Sequence, residues 1–184
     1  NLLTLNQLEF GDEDIVFDRF NLTALVRGVL QSMEIMADQA GAKILLHTEE
    51  DIYAWSDEFK VEQVVKNYVS NACHHVSGDM VIEVKMVQKD GKVRVSVFNT
   101  GTPIPEADIA HIWDKFYKVD KAHTREYGGN GIGLSIVKAI MDAHKQPFGV
   151  YNTAEGVAFW FCLKKAPKEE TDVQENENDT GSME

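Results

Sequence analysis

The sequence predicts an α/β fold, a two-layer sandwich in which a mixed, mostly antiparallel sheet of about five strands packs on three main helices. Three observations carry this expectation. The hydrophobic period switches between 3.6 and 2 along the chain, so helices and strands are interspersed. MVIEVKMVQKDGKVRVSVFNT at 80–100, and FGVYN with VAFWFCL at 148–163, read as hairpins with alternating apolar and polar arms. At 184 residues and 43% hydrophobic content, the chain can fill one core well, and two only with difficulty.

The elements follow in order. NLLTLNQLEFG places Leu2, Leu5 and Leu8 three apart before Gly11, as in the last turns of a helix closed by glycine, so residues 1–11 are expected to belong to an upstream helix. FNLTALVRGVLQSMEIMADQAG reads as one helix with Asn21 as N-cap and Gly41 at its C-terminus. KILLHT and IYAWS read as strands, and Asp57 to Val76 as a second helix. The first hairpin turns at Asp90-Gly91, the second near Ala154 to Gly156. A short helix from Pro105 to about Phe116 precedes a charged loop. IGLSIVKAIMDAH, with Ile132, Ile136 and Ile140 at helical spacing, is the third main helix. After Leu163 the chain turns acidic and loses its apolar residues, so 12–163 is expected to be the folded unit and 164–184 a disordered tail.

Composition excludes several classes. A net charge of −12 argues against nucleic-acid partners and anionic membrane surfaces. No signal peptide and no 18-residue apolar run is present. Cys73 and Cys162 are too few for a disulfide framework or a zinc site, which favours a reducing, cytoplasmic setting.

Two segments point to chemistry. GGNGIGLSIV, Gly128 to Val137, packs four glycines into six positions and empties into the third main helix. Glycine lets a ligand approach the main chain, and a helix N-terminus offers N–H groups and positive partial charge to phosphate. The dinucleotide fingerprint fails, because Leu134 or Ile136 stands where the third glycine belongs. A P-loop fails too, since the only Gly-Lys pair, Gly91-Lys92, is followed by Val93. From this segment alone, a plain turn joining loop to helix stays an equal alternative. On the second helix, Val61, Val64, Val65, Tyr68, Ala72 and Val76 form the core stripe, with Gln63, Asn67, Asn71, His74 and His75 on the other side. Asparagine costs a helix up to about 0.7 kcal/mol relative to Ala. Asn67 and Asn71, one turn apart, put two carbonyl oxygens together, as a hard cation such as Mg²⁺ beside phosphate requires, or else form a solvated polar face.

The order Asn67-x-x-x-Asn71, NTGTPIP at 99–105, FYKVD at 116–120, GGNGIGL and EGVAFWF resembles the ATP-binding catalytic domain of bacterial sensor histidine kinases, within the Bergerat fold shared with gyrase B, Hsp90 and MutL. NTGTPIP is similar to the vancomycin-resistance sensor subgroup. The resemblance covers about residues 12–163 and implies ATP and Mg²⁺ held between helices under a mobile lid. It implies that Asn67 and Asn71 hold the metal, that His74 stands near the phosphates where Lys or Arg is usual, and that His75 flanks the nucleotide where an aromatic is usual. Asn99 takes the position of the Asp that accepts from the adenine amino group. Gly101 lies beneath the base and Ile104 beside it, while Pro103 replaces a glycine and stiffens the loop. Phe116, Tyr117 and Lys118 match the phenylalanine box, and Gly129, Gly131, Ile132, Gly133 and Leu134 the phosphate-binding segment. Lys118 to Tyr127 is then the lid, with Lys118 and Arg125 as cations facing the triphosphate.

The implied activity is transfer of the γ-phosphate to a histidine. None of His47, His74, His75, His111, His123 and His144 stands in the family's His-Glu-x-x-x-Pro setting, so the acceptor is expected on an upstream dimerisation and phosphoacceptor domain. A response regulator is the indirect partner, and the parent is expected to be a homodimeric membrane receptor. Two alternatives remain: a nucleotide-binding regulatory module without transfer, and an ATP hydrolase of the gyrase B type. The second is disfavoured because Asn67 stands where those enzymes carry a water-activating Glu.

Overall fold

The computed structural model describes residues 14–119 and 132–168. Its elements are β1 (Asp18–Asn21), α1 (Leu22–Ser32), α2 (Glu34–Ala40), β2 (Lys43–His47), β3 (Tyr53–Ser56), α3 (Glu58–His75), β4 (Val81–Lys89), β5 (Lys92–Thr100), α4 (Glu106–Ile109), α5 (Gly133–His144), β6 (Phe148–Asn152) and β7 (Gly156–Ala166). The strands form one seven-stranded sheet in the order β1-β3-β7-β5-β4-β2, with β6 also on β7. Among the described residues only the β2–β4 pair is parallel. The sheet is thus mixed and mostly antiparallel, as expected, but wider than about five strands.

Helix ends form where side chains satisfy orphan backbone groups. Asn21 accepts from Ala24 N at 3.0 Å to start α1, and Asp57 Oδ1 accepts from Lys60 N at 3.1 Å to start α3. The other oxygen of Asp57 accepts from Val16 N at 3.0 Å, tying the incoming chain to the same cap. At the hairpin tip, Asp90 and Gly91 both have positive φ, 51° and 73°, the geometry that matches strand twist.

Between the layers lies a core of β-branched residues. Val61, Val64, Val65 and Val69 of α3 are fully buried against Val93, Val95 and Val97 of β5 and Ile136, Val137 and Ile140 of α5. Valine is a mediocre helix former, costing under about 0.7 kcal/mol each, whereas burying one side chain stabilises by about 1.5–3 kcal/mol, so packing decides. Among the described residues Tyr68 is the largest fully buried side chain, its ring 5.4 Å from Phe159 and its hydroxyl donating to Trp160 O at 3.0 Å. Burial drives its pKa upward.

Four expectations need correction. The first helix breaks at Met33, where Ser32 Oγ donates to Val29 O at 2.8 Å and competes with the helical ladder. β1 is an additional strand, too short for an alternation to reveal. The helix expected to reach Phe116 stops at Ile109 and continues as turns, through Asp114 N to His111 O at 2.9 Å and Tyr117 N to Asp114 O at 3.3 Å. β7 continues to Ala166, its lysines paired with β3 in the register Trp55↔Lys164 and Ala54↔Lys165, so the sheet extends past the expected boundary at Leu163. Residues 1–13 and 169–184 lie outside the described residues.

Two glycines make opposite predictions. A β-carbon at Gly156, directly opposite Thr100, would lie 2.0 Å from the Asn99 carbonyl oxygen, whereas one at Gly28 meets nothing within 4 Å. Gly156→Ala should destabilise by about 1–3 kcal/mol or more, and Gly28→Ala should stabilise by about 0.5–1 kcal/mol; denaturant titration reads both, and equal effects would contradict this packing.

His144, 6% exposed, donates from Nδ1 to Ile140 O at 2.8 Å, while its Nε2 is buried without a partner. Burial holds its pKa below the ordinary 6.5, against the opposing pull of the Ile140 carbonyl and Asp57 and with a smaller push from Lys60. The unfolded chain therefore binds this proton first, and stability present above about pH 6.5 is lost as pH falls below it. His144→Phe should flatten that part of the stability–pH profile; profiles parallel to wild type would refute the assignment.

Candidate functional site

The buried stripe of α3 fixes where its polar side points. Asn67 and Asn71 are half-buried one turn apart, followed by half-buried His74 and exposed His75. α5 begins directly against this side. A β-carbon on Gly133 would lie 2.9 Å from Asn67 Oδ1, so with glycine the first turn of α5 closes on that oxygen, and a larger residue would displace the Asn67 side chain. Ile132, 3% exposed, anchors the helix start, and Ser135 Oγ donates to Ile132 O at 2.7 Å. The first bond inside the helix is Ile136 N to Ile132 O at 3.0 Å. The N–H groups of Gly133 and Leu134 therefore have no acceptor within the helix, and they lie at its positive end.

The far end of α3 meets the segment after β5. Gly101 has φ of 152°, and a β-carbon there would lie 2.9 Å from His75 O and 3.4 Å from Asn99 Nδ2. Asn99 is 2% exposed and donates from Nδ2 to Thr100 O at 3.1 Å, which leaves Oδ1 as its accepting end. The polar strip of α3, with Asn67, Asn71, His74 and His75, is thus met by Gly133 at Asn67 and by Gly101, which also approaches Asn99, at His75. Beyond Gly101 a hollow of about 380 Å³ opens between Ser77–Asp79, Thr100–Pro103 and Glu155. It borders the strip at Gly101 alone.

Residues that sequence spacing did not single out hold this geometry. Thr100 Oγ1 donates to Ser77 O at 2.8 Å and accepts from Val81 N at 3.0 Å, stapling the end of α3 to β4 and β5. Asn152 clamps Ile104 with both ends of its amide, accepting from Ile104 N at 2.9 Å and donating to Ile104 O at 2.8 Å. An Asn before a hairpin turn was the available signal, but its partner is 48 residues away.

Phe116, Tyr117 and Lys118 are placed differently. Phe116 is 60% exposed with φ of 61°, uncommon for a residue with a β-carbon. Tyr117 donates to Asp108 Oδ1, and its ring stands 5.5 Å from His111. The bond to Asp108 is the main reason that the Tyr117 pKa rises. Among the described residues, no hydrogen bond joins these three to Asn67, Asn71 or Asn99. Arg125, Gly129 and Gly131 lie outside the described residues, as does most of the expected lid.

His75 titrates below the ordinary imidazole range, first because its surroundings desolvate it and second because His74 is its neighbour. Among the described residues no three His, Cys, Asp or Glu side chains are grouped to hold a metal ion. The candidate oxygen ligands are instead the amides of Asn67 and Asn71, neutral hard donors that suit a cation sharing its shell with phosphate and water. No helix among the described residues is long and apolar enough to cross a membrane.

Residues 56–167 match the family model described as Histidine kinase-, DNA gyrase B-, and HSP90-like ATPase. The sensor histidine kinase WalK of Bacillus subtilis (strain 168) is 28% identical over 180 residues, which are 95% of this chain and 29% of WalK. The sensor histidine kinase CusS of Escherichia coli O157:H7 is 34% identical over 143 residues, covering 78% of this chain and 30% of CusS. The chain thus spans under a third of the length of these relatives. Among solved structures, full-length ShkA in complex with AMPPNP is similar with a TM-score of 0.77 and 25% identity, over 90% of this chain and 34% of ShkA. The catalytic domain of histidine kinase ThkA in a nucleotide-free form gives 0.71 and 31%, over 82% of this chain and 96% of that domain.

The Gly133–Asn67 approach is directly testable. Gly133→Ala should push the Asn67 amide away from α5 while changing unfolding free energy by less than about 1 kcal/mol, because alanine also favours the helix. An Asn67 side-chain NMR signal unchanged by the substitution would contradict the contact.

Proposed function

The chain belongs to the histidine kinase-, DNA gyrase B-, and HSP90-like ATPase family, and we propose that it binds Mg-ATP along the polar strip and presents the γ-phosphate to a histidine on a separate acceptor domain of a two-component sensor kinase. The observation that carries this reading is the placement of Asn67 Oδ1 against the first turn of α5. It joins a hard oxygen donor to a helix N-terminus, the two requirements of a metal-bound polyphosphate.

Each residue then has a role. Asn99 Oδ1, fixed by the bond from its own Nδ2 to Thr100 O, accepts from the adenine 6-amino group. The same oxygen would face the 6-carbonyl of guanine, so ATP is favoured over GTP. Gly101 and Ile104 border the base, and Asn152 holds that segment in place. Gly133 and Leu134 offer main-chain N–H groups to the phosphates, with Gly129, Gly131 and Ile132 leading the chain to that point. Asn67 and Asn71 hold Mg²⁺, which when bound neutralises phosphate charge. Lys118 and Arg125 add cations from the lid, and Phe116 and Tyr117 flank it. His74 and His75 border the nucleotide from the end of α3.

In the transfer, the acceptor's neutral ring nitrogen forms the N–P bond as the O–P bond to ADP breaks, and ADP carries away the electron pair. The chain's contribution is to position and to stabilise charge. Hydrolysis is disfavoured, because Asn67 supplies no general base and Glu62 on the same helix is engaged by Lys66 at 2.8 Å. A second reading, nucleotide sensing without transfer, rests on His74 and His75, which stand where the family usually has a cation and an aromatic ring. WalK and CusS are sensor kinases by name, and the proposed partners derive from them: an upstream dimerisation and acceptor domain, a response regulator, and a homodimeric membrane-sensor parent that holds this domain on the cytoplasmic side. Residues 1–11 are proposed as the end of that upstream domain.

Calorimetry and a transfer assay separate these readings. Asn99→Ala should weaken ATP and ADP alike by about 1–3 kcal/mol, the cost of one lost buried hydrogen bond. Asn71→Ala should remove the affinity gain that Mg²⁺ gives and spare metal-free binding; unchanged Mg²⁺ dependence would reduce the asparagine pair to a polar face. Labelled ATP should place acid-labile phosphate on the parent's separately added acceptor domain, slowly for want of a covalent linkage, and not on this chain. Tight binding with no label on either protein would favour the sensing module.

A further inference from the structure

Asp57 engages two elements at once. Its Oδ1 caps α3 at Lys60 N, 3.1 Å away, and its Oδ2 accepts from Val16 N at 3.0 Å. The next residue, Phe17, sets its ring edge-on to that of His144 in the last turn of α5, with 5.7 Å between centroids and 70° between planes. Residues 16 and 17 therefore bridge the start of α3 and the end of α5. At the opposite end of the same helix pair, Gly133 stands against Asn67. Asp57 and His144 are 7% and 6% exposed, whereas Val16 and Phe17 are 69% and 46% exposed. The hold is rooted in the core but shallow on its outer side, the kind of contact that opens locally without unfolding the rest.

From Asp57 to Asn67, and from Gly133 to His144, each helix runs about 15–16 Å. Between those ends Val64 and Val65 of α3 and Val137 and Ile140 of α5 lie in one core, fully buried. A close-packed interior has no void to absorb a displacement and passes it on. The Asn67 oxygen meets α5 with no room for a single methyl group, so a small rotation of either helix disturbs that contact. We infer that Asp57 is a positioning residue for the site: with Val16 bound to it and Phe17 on His144, the segment clasps the far end of the α3–α5 pair and holds Gly133 against Asn67, and opening of the clasp weakens nucleotide binding. The ligand in this inference rests on the proposed Mg-ATP reading. The clasp itself does not.

Asp57→Asn in the full chain separates the clasp from the cap. Asn caps a helix as well as Asp does, so its oxygen keeps Lys60 N, but its Nδ2 then faces Val16 N and cannot accept. Phe17→Ala opens the clasp from the other side without changing charge. In the nucleotide-free protein, both variants should shift the Asn67 side-chain amide and the Gly133 main-chain amide in the same direction, with the unfolding midpoint of Asp57→Asn unchanged. Affinity for Mg-ATP should fall about two- to tenfold in each, the range one hydrogen bond spans. Coupling between two equilibria is reciprocal, so saturating Mg-ATP should slow hydrogen exchange at the Val16 amide of the wild type by a similar factor. Asn67 and Gly133 signals unmoved in both variants would overturn the inference, as would unaltered affinity with Val16 exchange indifferent to bound nucleotide. A wild type that binds no Mg-ATP would instead refute the functional reading, with the nucleotide-free signals still deciding whether the clasp positions Asn67.

Discussion

The missing side chain of Gly133 lets the Asn67 amide rest against the first turn of α5. With the glycine in place, the helix N-terminus reaches Asn67 Oδ1, and a β-carbon would sit 2.9 Å from that oxygen. The buried faces of the same two helices lock together through Val64, Val65, Val137 and Ile140, so the polar approach is set by the core and is not free to drift. α3 therefore serves two ends. Its valines and Tyr68 hold the sheet, and the residues between them hold the strip.

Backbone pins distribute this rigidity. Gly156 lets β7 pass the Asn99 carbonyl, Thr100 staples the end of β5 to the α3–β4 turn, and Asn152 clamps Ile104. Asn99 is thus held both by its strand and by the bond from its own amide. A residue proposed to bind and fixed in this way would lose little freedom on engaging a ligand, which is how preorganisation raises affinity. The contrast is with Phe116, exposed and at positive φ, at the border of residues 120–131.

Much of this was legible in the sequence where the signal is local. Asn21, Asp57 and Gly41 mark helix ends through their own chemistry, Asp90-Gly91 sets a hairpin, and a helical period decides that Asn67 and Asn71 share a side while Val61, Val64 and Val65 face the core. The α/β sandwich and the family followed from the order of such signals. The hidden features depend on distant partners. Lys164 and Lys165 look like the start of a tail until β3 pairs with them, Phe20 looks helical until Ala54 stands opposite, and Asn152 has no role until residue 104 is beside it. Met33 and the segment after Ile109 failed for another reason. Side-chain and turn hydrogen bonds from Ser32 and Asp114 compete with the helical ladder, and periodicity does not register that competition.

In the proposed complex, metal and phosphates meet between Asn67, Asn71 and the start of α5 while the base reaches Asn99. Paramagnetic Mn²⁺ in place of Mg²⁺, added with a non-hydrolysable ATP analogue, tests it within one spectrum. The account predicts the strongest relaxation at the side-chain amides of Asn67 and Asn71 and the main-chain amides of Gly133 and Leu134, with Asn99 shifted but less relaxed. Relaxation centred on the hollow between Ser77 and Glu155, or none at α3 despite bound nucleotide, would contradict it.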